Sequence, residues 1–191
     1  MLSDAVRQKR LAMMKEMTGS VFEAKNGVVV WVRPLLPEDA PYLVDLFDHM
    51  SSDSRYSRFH QPLDNVSSER VWREAEDIAH MARQVGFIAF ADLPDQLNAP
   101  IGAARYVETG VGVAETAVSV RDDMQRQGVG THLVSLLVKE ARRRGVYTLL
   151  ATIQRANQAI IHVLNRMPYP YVRTAVGSDI ELALDLKVAK E

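Results

Sequence analysis

Gln125, Arg126, Gln127, Gly128, Val129 and Gly130, followed by Thr131, stand between a run of strand character ending at Val120 and a leucine-rich stretch with helical spacing. The first turn of a helix leaves its N–H groups without intrahelical acceptors, and the helix dipole adds positive potential at the same end. An anion is therefore favoured at this turn, and Gly128 and Gly130 let a pyrophosphate approach the main chain closely. Arg126 adds a charge-assisted contact. The spacing is neither the Gly-x-Gly-x-x-Gly of dinucleotide-binding folds nor a P-loop ending in Gly-Lys-Ser/Thr, so both of those nucleotide readings drop out.

Other reactive residue types narrow the chemistry further. With no cysteine, a disulfide framework, a thiolate zinc site and a cysteine nucleophile are excluded together. The five histidines, His49, His60, His80, His132 and His162, lack metal-ligand spacing, so no metal is expected. His132, in the first turn of the helix after the glycines, reads as a packing or surface histidine. Arg142, Arg143 and Arg144 complement the dipole at the far end of that helix, with a phosphate contact as the second reading. Lysine plus arginine (23) nearly cancels aspartate plus glutamate (24), which leaves no electrostatic footprint for nucleic acid or for an anionic membrane. Charges interrupt the first eighteen residues, and no window has the length and apolarity of a signal peptide or a membrane span. A cytoplasmic protein without nucleic-acid or membrane partners is expected.

The glycine turn needs a scaffold, and 191 residues with 47% apolar and 25% charged content suit one domain. Val6, Leu11, Met13, Met14 and Met17 form a loose helical stripe over residues 3–17, an appendage (residues 1–20) to a domain at 21–191 that packs on it or on a second subunit in a homodimer. A buried first strand over 28–32 follows Asn26-Gly27. Pro37-Glu38-Asp39 opens a helix carrying Leu43, Leu46, Phe47 and Met50. Residues 51–65, rich in serine and arginine, read as a loop. Ser67 caps a helix from about 69 to 83, with Val71, Trp72, Ala75, Ile78, Ala79 and Ala82 on one face. Three hairpin-linked strands occupy 85–121, and the helix over 128–144 closes at Gly145. A strand (146–153), a short helix (157–166) and two strands (169–176 and 180–186) complete a mixed α/β (α+β) fold. Its mostly antiparallel central sheet has six to seven strands, with helices on both faces.

Gln-x-x-Gly-x-Gly after a strand, then Thr131, then a leucine-rich helix closing on Arg143-Arg144-Gly145-Val146, resembles the acetyl-CoA signature of the GNAT superfamily of N-acetyltransferases. The order of elements from Val28 to Leu186 is similar to that family throughout. The resemblance implies a GNAT-like sheet, acetyl-CoA as cosubstrate and an amine acceptor, either a small molecule or a protein lysine. It also implies that the strand before the signature splays from its neighbour and presents Val118, Ser119 and Val120 to the pantetheine arm. Asn157, by its place an N-cap, matches a family residue that bonds the cofactor.

Amine acetylation requires a neutral nitrogen, so a base must take a proton directly or through water. Glu115 begins the signature strand and shares a face with Ala117 and Ser119; a solvated strand-end carboxylate is the alternative reading. Ala114-Glu115-Thr116-Ala117 is similar to the segment that bears the catalytic glutamate in bacterial Pat-type protein lysine acetyltransferases. The stretch from Arg33-Pro34 through Ser51, Ser54, Arg55-Tyr56 and Arg58-Phe59 resembles the way that subgroup opens. Arg55, Tyr56, Arg58 and Phe59 are thereby implied as the acceptor-side wall, with a structural plug as the alternative. Attached cyclic-nucleotide or ligase-like modules, found on some Pat-type enzymes, are not expected.

Two departures bear on function. Leu164 stands where many family members carry a tyrosine that protonates the leaving thiolate, and Pro168-Tyr169-Pro170 replaces the usual Gly-Phe. A non-catalytic acyl-CoA sensor, and an assembly protein that dimerises through its N-terminus, are the competing readings.

Overall fold

The computed structural model describes residues 20–188; the helix expected over 3–17 lies outside the described residues. Asn26-Gly27 forms a tight turn, with Gly27 at φ +79° and its N–H donating to the Ala24 carbonyl. It joins β1 (Ser20–Glu23) to β2 (Val29–Pro34) in an antiparallel hairpin. β1 has no counterpart in the sequence reading, because four residues are too few to display a strand period. β3 (Gln84–Ala91), β4 (Ala99–Gly110) and β5 (Val113–Val120) continue the antiparallel meander. β6 (Thr148–Gln154) runs parallel to β5, and β7 (Tyr171–Val176) and β8 (Asp179–Asp185) close the sheet. The order is β1-β2-β3-β4-β5-β6-β8-β7, so among the described residues the sheet has eight strands and one parallel junction.

A single 3-10 turn (Pro37–Asp39) leads into α1 (Ala40–Asp48). Asp39 is buried and receives both guanidinium nitrogens of Arg33, at 2.6 and 2.7 Å, as well as the Leu36 N–H at 2.8 Å. That bidentate bond raises the Arg33 pKa and fixes the angle at which the chain leaves β2 for α1.

The segment expected to be a loop contains a helix, α2 (Ser52–Phe59). Ser51 Oγ caps it by accepting from Ser54 N, and it ends at His60 in the left-handed conformation, φ 55°. Polar ties replace an apolar stripe here. Arg55 lies over the Phe47 ring at 4.1 Å, and its Nε donates to the Phe47 carbonyl. α3 (Ser68–His80) carries the Ser67 cap, but its buried positions are Ala75 and Ala79. Trp72 is 42% exposed at the rim of that stripe, and Ala82 lies beyond the helix end.

α4 (Val129–Arg143) buries Leu133, Leu137 and Val138 against the opposite face of the sheet. Gly102 in β4 permits this approach: a Cβ there would meet Ser119 O at 3.0 Å, Leu133 Cδ1 at 3.1 Å and Val129 Cγ1 at 3.3 Å. α5 (Gln158–Asn165) follows β6. Among the described residues no helix is long and apolar enough to cross a membrane.

Candidate active site

β5 and β6 share three residue pairs, Val113 with Thr148, Ala114 with Leu149 and Glu115 with Leu150, and then part. β6 stays paired with β8 as far as Gln154, whereas Thr116 to Val120 have β4 on one side and an opening on the other. The implied contact residues Val118, Ser119 and Val120 lie along this opening, all half-buried. Main-chain groups on the open edge of a strand are unpaired by its neighbour and available to an extended ligand.

The glycine turn lies past the end of β5. Gly128 precedes α4 at φ +94°, and Arg126 adopts φ 60°. Lys25 N donates to the Gln127 carbonyl at 3.1 Å, so the β1–β2 hairpin braces the turn. The first helical bond runs from His132 N to Gly128 O, which leaves the amides of Val129, Gly130 and Thr131 among those that a helix start does not use. A Cβ at Gly130 would meet Val120 Cγ2 at 3.5 Å, an ordinary contact, so packing does not demand glycine there. This open, amide-lined surface fits a diphosphate.

Gln125 plays a different part from its neighbours. Its Nε2 lies within hydrogen-bond distance of Ser54 Oγ (3.0 Å), Asp122 Oδ1 (3.0 Å) and Val120 O (3.3 Å), so the side chain ties the turn to α2. Asp122 also accepts from Ser51 N at 3.1 Å. Burial works to raise the Asp122 carboxyl, and the hydrogen bonds from Ser51 and Ser54, with Arg55 nearby, outweigh it and hold it below the usual range. On the other lip of the opening, Ser57 Oγ donates to Gln154 Oε1 at 3.3 Å and His60 Nε2 lies 3.2 Å from Thr152 O. α2 therefore spans the opening and forms part of its wall.

The face of β4 and β5 beneath α2 carries the charged groups. Arg105 pairs with Ala117 and Ala103 with Ser119, and Glu115 is the next residue on that face. Arg105, Ala117 and Ser119 line a cleft together with Phe47, Arg58 and Phe59. Desolvation lowers the Arg58 guanidinium to about 10 and repulsion from Arg105 adds to this, while Glu74 and Glu115 oppose both. Burial likewise lowers Arg105, against the attraction of Glu115 and Glu74. The Arg105 Nε is buried without a partner among the described residues, and its Nη1 lies 3.2 Å from Met81 Sδ. Glu115 is exposed, at the last rung shared by β5 and β6.

Of the four residues implied for the acceptor wall, Arg58 and Phe59 line the cleft. Arg55 braces α1, and Tyr56 is 47% exposed. Arg105 is a cleft-lining cation that sequence reasoning missed; the available signal was a lone cation inside the apolar run Ile101-Gly102-Ala103-Ala104-Arg105-Tyr106. Asn157 caps α5, its Oδ1 accepting from Ile160 N at 3.3 Å. Leu164 is buried, so no hydroxyl is presented at that position. Arg142 donates to the Tyr169 hydroxyl and Arg143 and Arg144 engage Glu140, which accounts for all three members of the triplet.

The chain has counterparts among known proteins. The family model described as "Acetyltransferase (GNAT) family" matches residues 43–167. The chain is 25% identical over 179 residues to "Acetyltransferase Pat" of Mycolicibacterium smegmatis, covering 93% of this chain and 52% of that protein, so it spans about half the length of that relative. It is 34% identical over 136 residues to the L-methionine sulfoximine/L-methionine sulfone acetyltransferase of Pseudomonas paraeruginosa, covering 69% of this chain and 74% of that one. Among solved structures, the GNAT domain of S. lividans PAT superposes with a TM-score of 0.72 at 27% identity, over 87% of this chain and 96% of that domain. With the family model covering most of the chain and the fold agreeing, the protein belongs to the GNAT family of acetyltransferases.

Proposed function

We propose that residues 21–191 form a catalytic domain that transfers the acetyl group of acetyl-CoA to a primary amine, on a small molecule or a protein lysine, with Glu115 as general base. GNAT enzymes use acetyl-CoA. The diphosphate would rest on the amides of Gln127 to Thr131 beside Arg126, and the pantetheine arm would run along Val118, Ser119 and Val120 towards Asn157. Gln125 acts by fixing the turn. The carrying observation is the departure of β6 from β5 immediately after Glu115, which puts that carboxylate at the apex of the opening.

Glu115 takes the proton that the amine must lose, the nitrogen–carbon bond forms as the carbon–sulfur bond breaks, and the departing thiolate acquires a proton from solvent. A thiolate with an ordinary pKa near about 8.5 leaves with little help, which is consistent with Leu164 in place of a proton donor. Main-chain donors of the splayed strand would polarise the thioester carbonyl. The relatives carry two kinds of name, one for Pat and one for L-methionine derivatives, so the acceptor is left to the cleft itself.

Glu115→Gln is expected to keep CoA affinity by calorimetry and to lower CoA-thiol release by about 10²-fold or more, the usual loss for a general base. An unchanged rate across pH would remove Glu115 from the mechanism. The buried Leu164 favours a second reading, an acyl-CoA sensor. That reading gains if the protein binds acetyl-CoA and releases no thiol with any amine offered.

A further inference from the structure

We infer that the cleft under α2 takes an amine that carries its own carboxylate beside the nitrogen: an α-amino acid with an apolar side chain. The inference rests on the transferase reading above and names the acceptor of that same site. Arg58 and Arg105 both line the cleft, one from the helix that roofs it and one from the strand that floors it. Among the described residues neither guanidinium has a carboxylate oxygen within 4.0 Å. Arg58 lies over the Phe59 ring at 4.9 Å, and Arg105 reaches Met81 Sδ, a weak acceptor, with its Nε buried and unpartnered. Holding two half-buried cations in one cleft without a contacting counter-ion is costly, and Arg105 works against the charge of Arg58. A ligand carboxylate removes that penalty and matches the fork of a guanidinium.

Glu74 and Glu115 offset part of this charge at longer range. Glu74 sits exposed on α3, and Glu115 is needed for the proton. Glu115 and Arg105 are diagonal neighbours on one face of an antiparallel pair, where long side chains about 7–8 Å apart at their Cα atoms still reach a common ligand. An α-amino acid joins its amine and carboxylate through a single carbon, which suits a base and a cation so close together. A lysine within a protein has its carboxyl tied up in the main chain and offers no such anion next to its amine. The cleft also continues into a mostly apolar hollow: Leu43, Phe47, Phe59 and Ile78 are common to both, and Leu63, Val66 and Val71 line its far part alongside Gln61, Arg70 and Glu74.

The test follows CoA-thiol release by the whole protein with acetyl-CoA and L-leucine, L-methionine or L-phenylalanine, their carboxamides, 3-methylbutylamine and a lysine-bearing peptide. The free acids are expected to exceed their amides in kcat/KM by about 10²-fold or more, the discrimination shown by a site whose charged donors would otherwise stay unpaired. Arg105→Gln is expected to lower the ratio of acid to amide kcat/KM by about tenfold or more, chiefly through KM for the acids. The comparison of acid with amide on the unaltered protein does not depend on that variant folding. Equal kcat/KM for acids and amides, or a peptide turned over faster than every amino acid, overturns the inference and leaves the transferase standing. Thiol release with none of these acceptors overturns both.

Discussion

At Gly128 the main chain holds φ +94°, which L side chains rarely adopt, whereas Gly130 lies in helical backbone with one ordinary contact where a Cβ would stand. The first glycine serves the fold, and the second keeps the surface above the helix start clear. Gly128→Ala is therefore expected to lower stability by about 1 kcal/mol or more through backbone strain. Gly130→Val should melt close to the parent and weaken CoA binding by about tenfold or more, roughly one lost anion contact, as read by calorimetry. A loss of stability equal to that of the Gly128 variant would mean that Gly130 is structural. The turn was legible in the sequence because its chemistry is local, six consecutive residues across the start of a helix. The meeting of Arg58 with Arg105 was not, since it depends on how α2 lies across β4.

The helix α2 shows what hydrophobic periodicity misses. Ser52–Phe59 has no buried residue, and its position comes from Ser51 as cap, from Arg55 over Phe47 and from Ser54 and Ser57 at the two lips of the opening. The Ser51 cap three residues before Ser54 was the sequence cue, hidden by a composition that suggested a loop. Ser51→Ala is expected to cost about 1 kcal/mol by thermal or denaturant unfolding. Because α2 walls the cleft, the same change should raise KM for the acceptor more than Kd for CoA. Equal effects on the two would place α2 outside the acceptor side. Strands β2 to β6 and β8, together with α4, were readable in advance because their apolar residues recur at the periods of two and of three to four residues that burial of one face imposes.

At the scale of the molecule, α4 is the crossover that carries the chain from β5 to its parallel neighbour β6, so its integrity governs how the two parts of the sheet are held. Near its end, Glu140 accepts from Arg143 at 2.6 and 2.8 Å and from Arg144 at 2.7 Å. The hydrogen bond from Arg143 contributes most to holding the carboxyl at about 2, against an ordinary 4.5. A folded value below the unfolded one adds stability that is complete above 4.5 and is lost as pH falls towards 2. Glu140→Gln should thus melt below the parent at neutral pH and converge with it in acid; a gap that persists unchanged into acid would contradict this assignment. The overall topology could be anticipated from the order of elements, whereas the parting of β5 from β6 could be expected only from the family resemblance, because residues 113–120 alternate in the same way whether or not a neighbour pairs with them.

Among the described residues, β5 of the β1–β5 wing meets β6 of the β6–β8 wing edge to edge over three residue pairs. A slender molecule lodged in that notch would give Thr116 to Val120 the lateral partner that β6 withholds, and would stitch the wings together along their length. Loading would then be a tightening event, with the sheet stiffest while cargo is aboard and slackest in the interval before the next molecule arrives.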